Sequence, residues 1–185
     1  MNLIIVSGAT STGKSTLARK LAKDLKIPLF LRDDFKEQHF DTFGGKPSLK
    51  QLGSIDIASR KKLFSILEDA VNKDTDLIIE SNFMYSERNT LQEKLGDSTN
   101  VVEIFCRASG RTILKRYTKR YRSGERHRGH RDYLWYPIVA IESLGPVHRR
   151  YRPLLLSNRS KIVDTEDFSK IDYPDIVSFI RENIV

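Results

Sequence analysis

Cysteine is almost absent from this chain: Cys106 is the only one in 185 residues. A single thiol excludes an intrachain disulfide framework and any zinc site built from several cysteines. Long apolar runs are missing too, and none approaches the roughly 18 residues a membrane helix needs. The opening Met1-Asn2-Leu3-Ile4-Ile5-Val6 carries no basic stretch, and its apolar run is too short for a secretory leader. The expected compartment is therefore the cytoplasm, with no membrane partner. Glycine and proline are sparse, at 10 and 6 residues, and no biased segment or internal repeat stands out. That excludes collagen-like and low-complexity chains, while 39% hydrophobic and 30% charged residues are ordinary for a globular one. With no linker in view, residues 1–185 read as one domain, long enough to bury about 70% of the surface its unfolded chain exposes.

Acidic residues are scarce in one region only. From Arg107 to Lys161 there are 15 lysines and arginines against three acids, Glu125, Asp132 and Glu142. The remainder carries 17 basic and 21 acidic residues, so the net charge of +8 belongs to that one stretch. A local arginine cluster suits one particular anionic ligand, because guanidinium forks match phosphate oxygens. The alternative is a solvated basic face.

Apolar patterning alternates between short strands and helices. Strands are expected at Leu3–Ser7, Pro28–Leu31, Leu77–Ile79 (ending at Glu80), Val101–Cys106 and Ile162–Val163. Helical spacing marks Ser15–Lys26, Ile57–Asn72, Glu87–Leu95, Arg111–Tyr121 and Ile176–Ile184, whereas Phe35–Lys50, with Gly44-Gly45 and Pro47, reads as partly loop. Such alternation predicts an α/β fold with a parallel sheet and helices on both faces. Ligands in such sheets bind beyond the carboxyl ends of the strands.

The first of those ends carries the clearest motif. Gly8-Ala9-Thr10-Ser11-Thr12-Gly13-Lys14-Ser15 matches G-x-x-x-x-G-K-[ST] in full, followed by Thr16. A chance match in a chain this long is about 1%, and the motif lies between a strand and a helix, as its chemistry requires. Backbone N–H groups of residues 8–16 would cradle phosphate oxygens at the positive end of the helix. Lys14 would reach the β- and γ-phosphates and Ser15 would offer its hydroxyl to Mg²⁺, so ATP and Mg²⁺ are the expected cofactors. GTP-hydrolysing switches fit poorly: Asp41-Thr42-Phe43-Gly44 does not end a strand, and Asn72-Lys73-Asp74-Thr75 has Thr75 where an aspartate is required.

A carboxylate near the γ-phosphate is what an acceptor hydroxyl needs. Asp33 follows the second strand and is the first candidate for that base, with Asp34 its competitor; helix capping is the structural alternative for either. Lys36 lies one helical turn beyond Asp33 and can face the same site. Glu80, at the end of the third strand, suits either water-mediated Mg²⁺ binding or acceptor hydroxyls, and Asn82 follows it.

Arg107, Arg111, Arg116, Arg120, Arg122, Arg126, Arg128 and Arg131 crowd one helix and the loop after it. Arg116 and Arg120 are spaced to share a helix face. Two or three of these, with Arg116, Arg120 and Arg126 the candidates, would stabilise the charge of a transferring phosphoryl group. Gly124 and Gly129 suit a closing lid over about residues 107–135. His127 and His130 have the spacing of zinc ligands but no evident third partner, so substrate hydrogen bonding is the expected role. Tyr133, Trp135 and Tyr136 are expected in the core, with base stacking as the alternative.

GATSTGKST (8–16), LRDDFKE (31–37), IIESNF (78–83), the Arg116/Arg120 pair with SGERHRGHRD (123–132), and IVDT (162–165) together resemble the small P-loop kinases grouped as AAA-type predicted kinases. This group is similar to chloramphenicol phosphotransferase, zeta-toxin-type kinases and the kinase domain of phage polynucleotide kinase. The resemblance spans most of the chain. It implies a three-layer nucleoside/nucleotide-kinase-like fold, with a five-stranded parallel sheet and an arginine-rich lid. It also implies transfer of the γ-phosphoryl group of ATP to a hydroxyl. On that basis Asp33 takes the role of base, Lys36 that of a basic acceptor-site residue, Glu80 that of a substrate-binding acid, and Arg116 and Arg120 those of lid arginines. The expected acceptor is a small molecule. A polynucleotide or nucleoside 5′-hydroxyl is the second reading, and a nucleotide-dependent switch the third.

Overall fold

The computed structural model describes residues 1–96, 98–144 and 151–184. Five strands form one sheet: β1 (Asn2–Gly8), β2 (Leu29–Leu31), β3 (Leu77–Glu80), β4 (Asn100–Arg107) and β5 (Ser160–Asp164). Their order is β2-β3-β1-β4-β5, and every pairing is parallel. The strands are apolar without a break because both faces are covered. Along β1, Leu3 and Ile5 face one core, with Leu63, Leu67, Leu77, Ile79 and Leu91. Ile4 and Val6 face the other, with Leu17, Leu21, Ile78, Ile104, Ile176 and Ile180. The strand period of two thus feeds two helical layers. Helices α3 (Leu49–Asn72) and α4 (Arg88–Lys94) cover the first face, and α1 (Lys14–Leu25) and α7 (Tyr173–Asn183) the second. The three-layer α/β fold is as expected.

The remaining helices, α2 (Arg32–Asp41), α5 (Gly110–Ser123) and α6 (Asp132–Leu144), gather at the carboxyl edge of the sheet. They depart most from the sequence pattern. α2 begins directly after β2, so Asp33 and Asp34 lie in its first turn and neither caps it: the N-cap is Leu31. α3 starts at Leu49 instead of Ile57, closed by a capping box in which Ser48 accepts from the Gln51 amide and Gln51 accepts from the Ser48 amide. Leu49 and Ile57 are exposed, which blurs the apolar stripe that would have marked this turn. α6 carries Pro137 inside it; proline ordinarily reads as a breaker because it loses one helical hydrogen bond. The aromatics expected in the core are largely outside it, with Tyr133 and Trp135 exposed.

Buried Glu103 on β4 holds the chain that returns to β5. It accepts from the Leu154 and Leu155 amides and from the hydroxyls of Ser7 and Ser160. No helix among the described residues is long and apolar enough to cross a membrane.

Candidate active site

The loop from Gly8 to Ser15 joins the central strand to α1. Gly13 is the N-cap of α1 at φ 87, and no side chain caps the helix. A β-carbon at Gly13 would be strained and would run into the Phe168 ring. The first turn of α1 also holds no acid. Its amide donors are therefore open to an anion, at the helix end where the dipole favours one. Three buried donors around the loop lack a protein partner among the described residues: Ser11 Oγ, Arg116 Nη1 and Arg120 Nε. Thr12 donates to the Ala9 carbonyl and closes the turn. Thr16 is exposed on the outer side of α1. These features fit a polyphosphate.

Glu80, buried at the end of β3, receives the Ser15 hydroxyl at 2.9 Å and stands 3.2 Å from Lys14 Nζ. One hydroxyl and one carboxylate, both hard oxygen donors, suit Mg²⁺. Glu80 is therefore on the phosphate side, not beside Lys36. Cys106, next to this crevice, is an inert thiol, because burial pushes it up to about 12.

Asp33 faces the same crevice from the first turn of α2. Its carboxylate is 2.7 Å from Arg126 Nη2, while Nη1 of that arginine is 2.7 Å from Asp132. Burial alone would raise the Asp33 carboxyl, but the charges of Arg126, Lys36 and Lys14 hold it well below the usual carboxylate range. Asp132 is buried, and Tyr117 donates to it at 3.1 Å. Asp34 turns the other way, toward Arg19 on α1 at 3.5 Å, and is exposed. The two neighbouring aspartates are thus separated by the helix itself.

The two arginines that share a face on α5 divide their contacts. Arg116 donates to the carbonyls of Thr165 and Glu166 and lies over the Phe168 ring. Arg120 reaches Thr10 of the phosphate loop at 3.4 Å. After Gly124, whose φ of 68 ends α5, the chain folds back over α2. His127 Nε2 meets Asp41 at 3.0 Å and His130 Nε2 meets Glu37 at 2.9 Å. Phe40 lies between the two imidazoles, and a β-carbon at Gly129 would collide with it, so only glycine allows this approach. Burial and Arg126 lower His130 to about 3, leaving its ring neutral.

Arg32, Asp56, Arg60 and Glu87 were given no role by the sequence. Arg32 is buried and pairs with Asp56 of α3 at 2.6 Å; it also donates to Asn82 at 3.3 Å. Lys36 pairs with the same Asp56 oxygen at 2.8 Å. Arg60 lies 3.6 Å from the other oxygen and pairs closely with Glu87. Lys36 and Asp56 border a cavity of about 490 Å³ between α2, α3 and the segment ending at Trp135. A second cavity, of about 520 Å³, is bordered by Lys46, Arg120, Arg126, Arg128 and Arg131. The capping box at Ser48 was the available signal: it extends α3 back over Asp56 and puts that acid opposite α2.

A family model described as an AAA domain matches residues 3–132. No curated protein matches the chain. Among solved structures, a "putative kinase" from Chloroflexus aurantiacus J-10-fl is 29% identical with a TM-score of 0.85, covering 100% of this chain and 98% of its own. A sugar kinase from Janibacter sp. HTCC2649 is 15% identical with a TM-score of 0.61, covering 98% and 92%. A gluconokinase from Sinorhizobium meliloti 1021 is 14% identical with a TM-score of 0.54, covering 98% and 93%. The last two likenesses are likenesses of fold.

Proposed function

Since the chain belongs to the AAA domain family and has the fold of small P-loop kinases, we propose that it transfers the γ-phosphoryl group of ATP to a hydroxyl of a small-molecule acceptor. The observation that carries this reading is the pair of arginine contacts joining the phosphate loop to the acceptor-side acid: Arg120 on Thr10, and Arg126 on Asp33. A loop that only binds nucleotide needs no ionised carboxylate held opposite it.

In the proposed reaction the bond from the γ-phosphorus to the bridging oxygen of ADP breaks as the bond to the acceptor oxygen forms, and the hydroxyl proton passes to Asp33. Its lowered pKa makes Asp33 a weak base but one always ionised. That suffices where the transition state is loose and the carboxylate mainly orients the hydroxyl. Lys14 and the loop amides hold the β- and γ-phosphates. Arg126 exchanges Asp33 for the transferring group, and Arg120 meets the same charge from α5. Arg116 acts by fixing the loop after β5. Ser15 and Glu80 would hold Mg²⁺, which supplies charge neutralisation across the phosphates. The segment 107–135 is the lid of this single catalytic unit.

The test is ADP release with ATP and Mg²⁺ across a panel of hydroxylated acceptors, with Asp33→Asn as control. Acceptor-stimulated release should vanish in Asp33→Asn while nucleotide affinity stays within about threefold. Equal release by both proteins would remove Asp33 from the chemistry. A polynucleotide 5′-hydroxyl remains the second reading because Lys46, Arg128 and Arg131 border the second cavity. It requires oligonucleotide affinity that falls steeply with salt.

A further inference from the structure

The cavity beside Asp33 has a composition that speaks to the acceptor itself, on the premise that the chain is a kinase. Its volume of about 490 Å³ is that of a small-molecule site. It begins one helical turn along α2 from Asp33, and Lys36, which borders it, also acts on that carboxylate. The walls are mainly apolar: Phe40, Leu52, Ile55 and Trp135, with Leu49 at the start of α3. Leu49 and Trp135 are 64% and 42% exposed, large apolar surfaces that the fold itself leaves uncovered.

Lys36 offers donors, and Asp56 offers no free acceptor. Asp56 is already engaged, one oxygen by Arg32 and Lys36 and the other facing Arg60. The Lys36 ammonium spends one of its three protons there and keeps two. A ligand therefore needs one hydrogen-bond-accepting group. A polyol would bring many hydroxyls against Phe40, Leu52 and Ile55, where they would lose water without a partner.

An independent sign comes from Gly53. It stands in the first turns of α3 and borders the cavity. Glycine weakens a helix interior, yet a β-carbon there would meet nothing within 4 Å. No close contact and no positive φ requires this glycine, and the space its missing side chain leaves open borders the cavity.

We propose that the phosphoryl acceptor is a compact alcohol with a ring-sized apolar body and one hydrogen-bond-accepting group, seated between Trp135 and α3 with that group on Lys36 and its hydroxyl at Asp33. Trp135 is the chain's one tryptophan, so its emission reports occupancy without any turnover. The full chain would be titrated, with ATP and Mg²⁺ absent, with para-(hydroxymethyl)benzamide, para-methylbenzyl alcohol, glucose and glycerol. ADP release would be followed separately with each. The benzamide should change Trp135 emission saturably, and para-methylbenzyl alcohol, which lacks the accepting group, should bind more weakly. Glucose and glycerol should bind at least about tenfold more weakly still, the discrimination an apolar pocket can supply. Gly53→Leu should weaken the benzamide at least about tenfold with ATP affinity unchanged, and Gly53→Ala should alter it by less than about threefold. No saturable change with either ring compound overturns the inference, as does Asp33-dependent transfer to glucose that Gly53→Leu leaves intact. Saturable binding of the benzamide with no acceptor-stimulated ADP release from any compound would uphold the pocket's preference and remove the kinase reading instead.

Discussion

Arg126 touches Asp33 and Asp132 with its two terminal nitrogens, and the consequence is electrostatic. Asp33 stays ionised in the free enzyme, where Arg126 holds it, so the pH dependence of kcat/KM should show no Asp33 limb between about pH 5 and 8. In Arg126→Ala the depressing charge is gone while burial persists. The carboxyl should then rise, an acidic limb should appear, and kcat should fall roughly 10²–10³-fold. Arg126→Lys should not restore the rate, because an ammonium is a compact charge that cannot hold both acids in one plane. An unchanged pH profile in Arg126→Ala would separate Arg126 from the base. Asp56 makes a stability prediction of known sign. Burial would raise its carboxyl, but Lys36 and Arg32 lower it to about 2. The unfolded chain, with a pKa of about 3.9, binds that proton more tightly. Asp56 therefore stabilises the fold above about pH 4, and the contribution is lost as pH falls toward 2. Asp34 and Glu37, both raised chiefly by burial, act with the opposite sign. Urea midpoints at pH 7 and pH 3 should thus lie closer together in Asp56→Asn than in the parent, and the variant should be the less stable of the two at pH 7.

Helix α3 carries both a strong start and a deliberate weakness. Ser48→Ala removes one half of its capping box and should cost about 1 kcal/mol in denaturant unfolding. Gly53→Ala, five residues into the same helix, meets open space and should gain about 0.5–1 kcal/mol. Opposite signs from two substitutions to the same residue type, within one turn and a half, would identify Gly53 as kept for a reason other than stability. A loss from Gly53→Ala would show that the glycine serves the helix after all. Elements with a regular apolar stripe were legible in the sequence to within a residue or two: β1, the helix after the phosphate loop, and α5 ended by Gly124. α2, the start of α3, and α6 were not. They lie along the cavity between α2 and α3, where apolar residues face open space instead of the core, so periodicity no longer tracks burial.

The central strand and its loop connect nucleotide binding to the stability of the whole chain. ATP at about 100 times its dissociation constant should add about 2.7 kcal/mol to the native state. For a chain of this length that is a rise in Tm of roughly 5–10 °C. Lys14→Ala should lose most of the rise, because Lys14 Nζ faces the crevice beside Glu80. A full shift in that variant would mean that the amides alone hold the phosphates. Its own Tm without ATP should stay near that of the parent, since the Lys14–Glu80 pair is the only ion pair among the described residues that it breaks.

The phosphate loop, the alternation of strands and helices, the place of Asp33 just after the second strand and the arginine cluster were all readable from residue order, because each is a local pattern set by neighbours in the chain. Which aspartate turns inward, which arginine meets it, and that Glu80 joins the phosphate loop depend on contacts between residues as far apart as 33 and 126 or 15 and 80. The same holds for the cavity: Lys36, Gly53 and Trp135 become one wall only when α2, α3 and α6 pack together at the carboxyl edge of the sheet. Long-range side-chain geometry of that kind leaves no periodic trace in the sequence, because it is set by how whole elements meet and not by which residues follow one another.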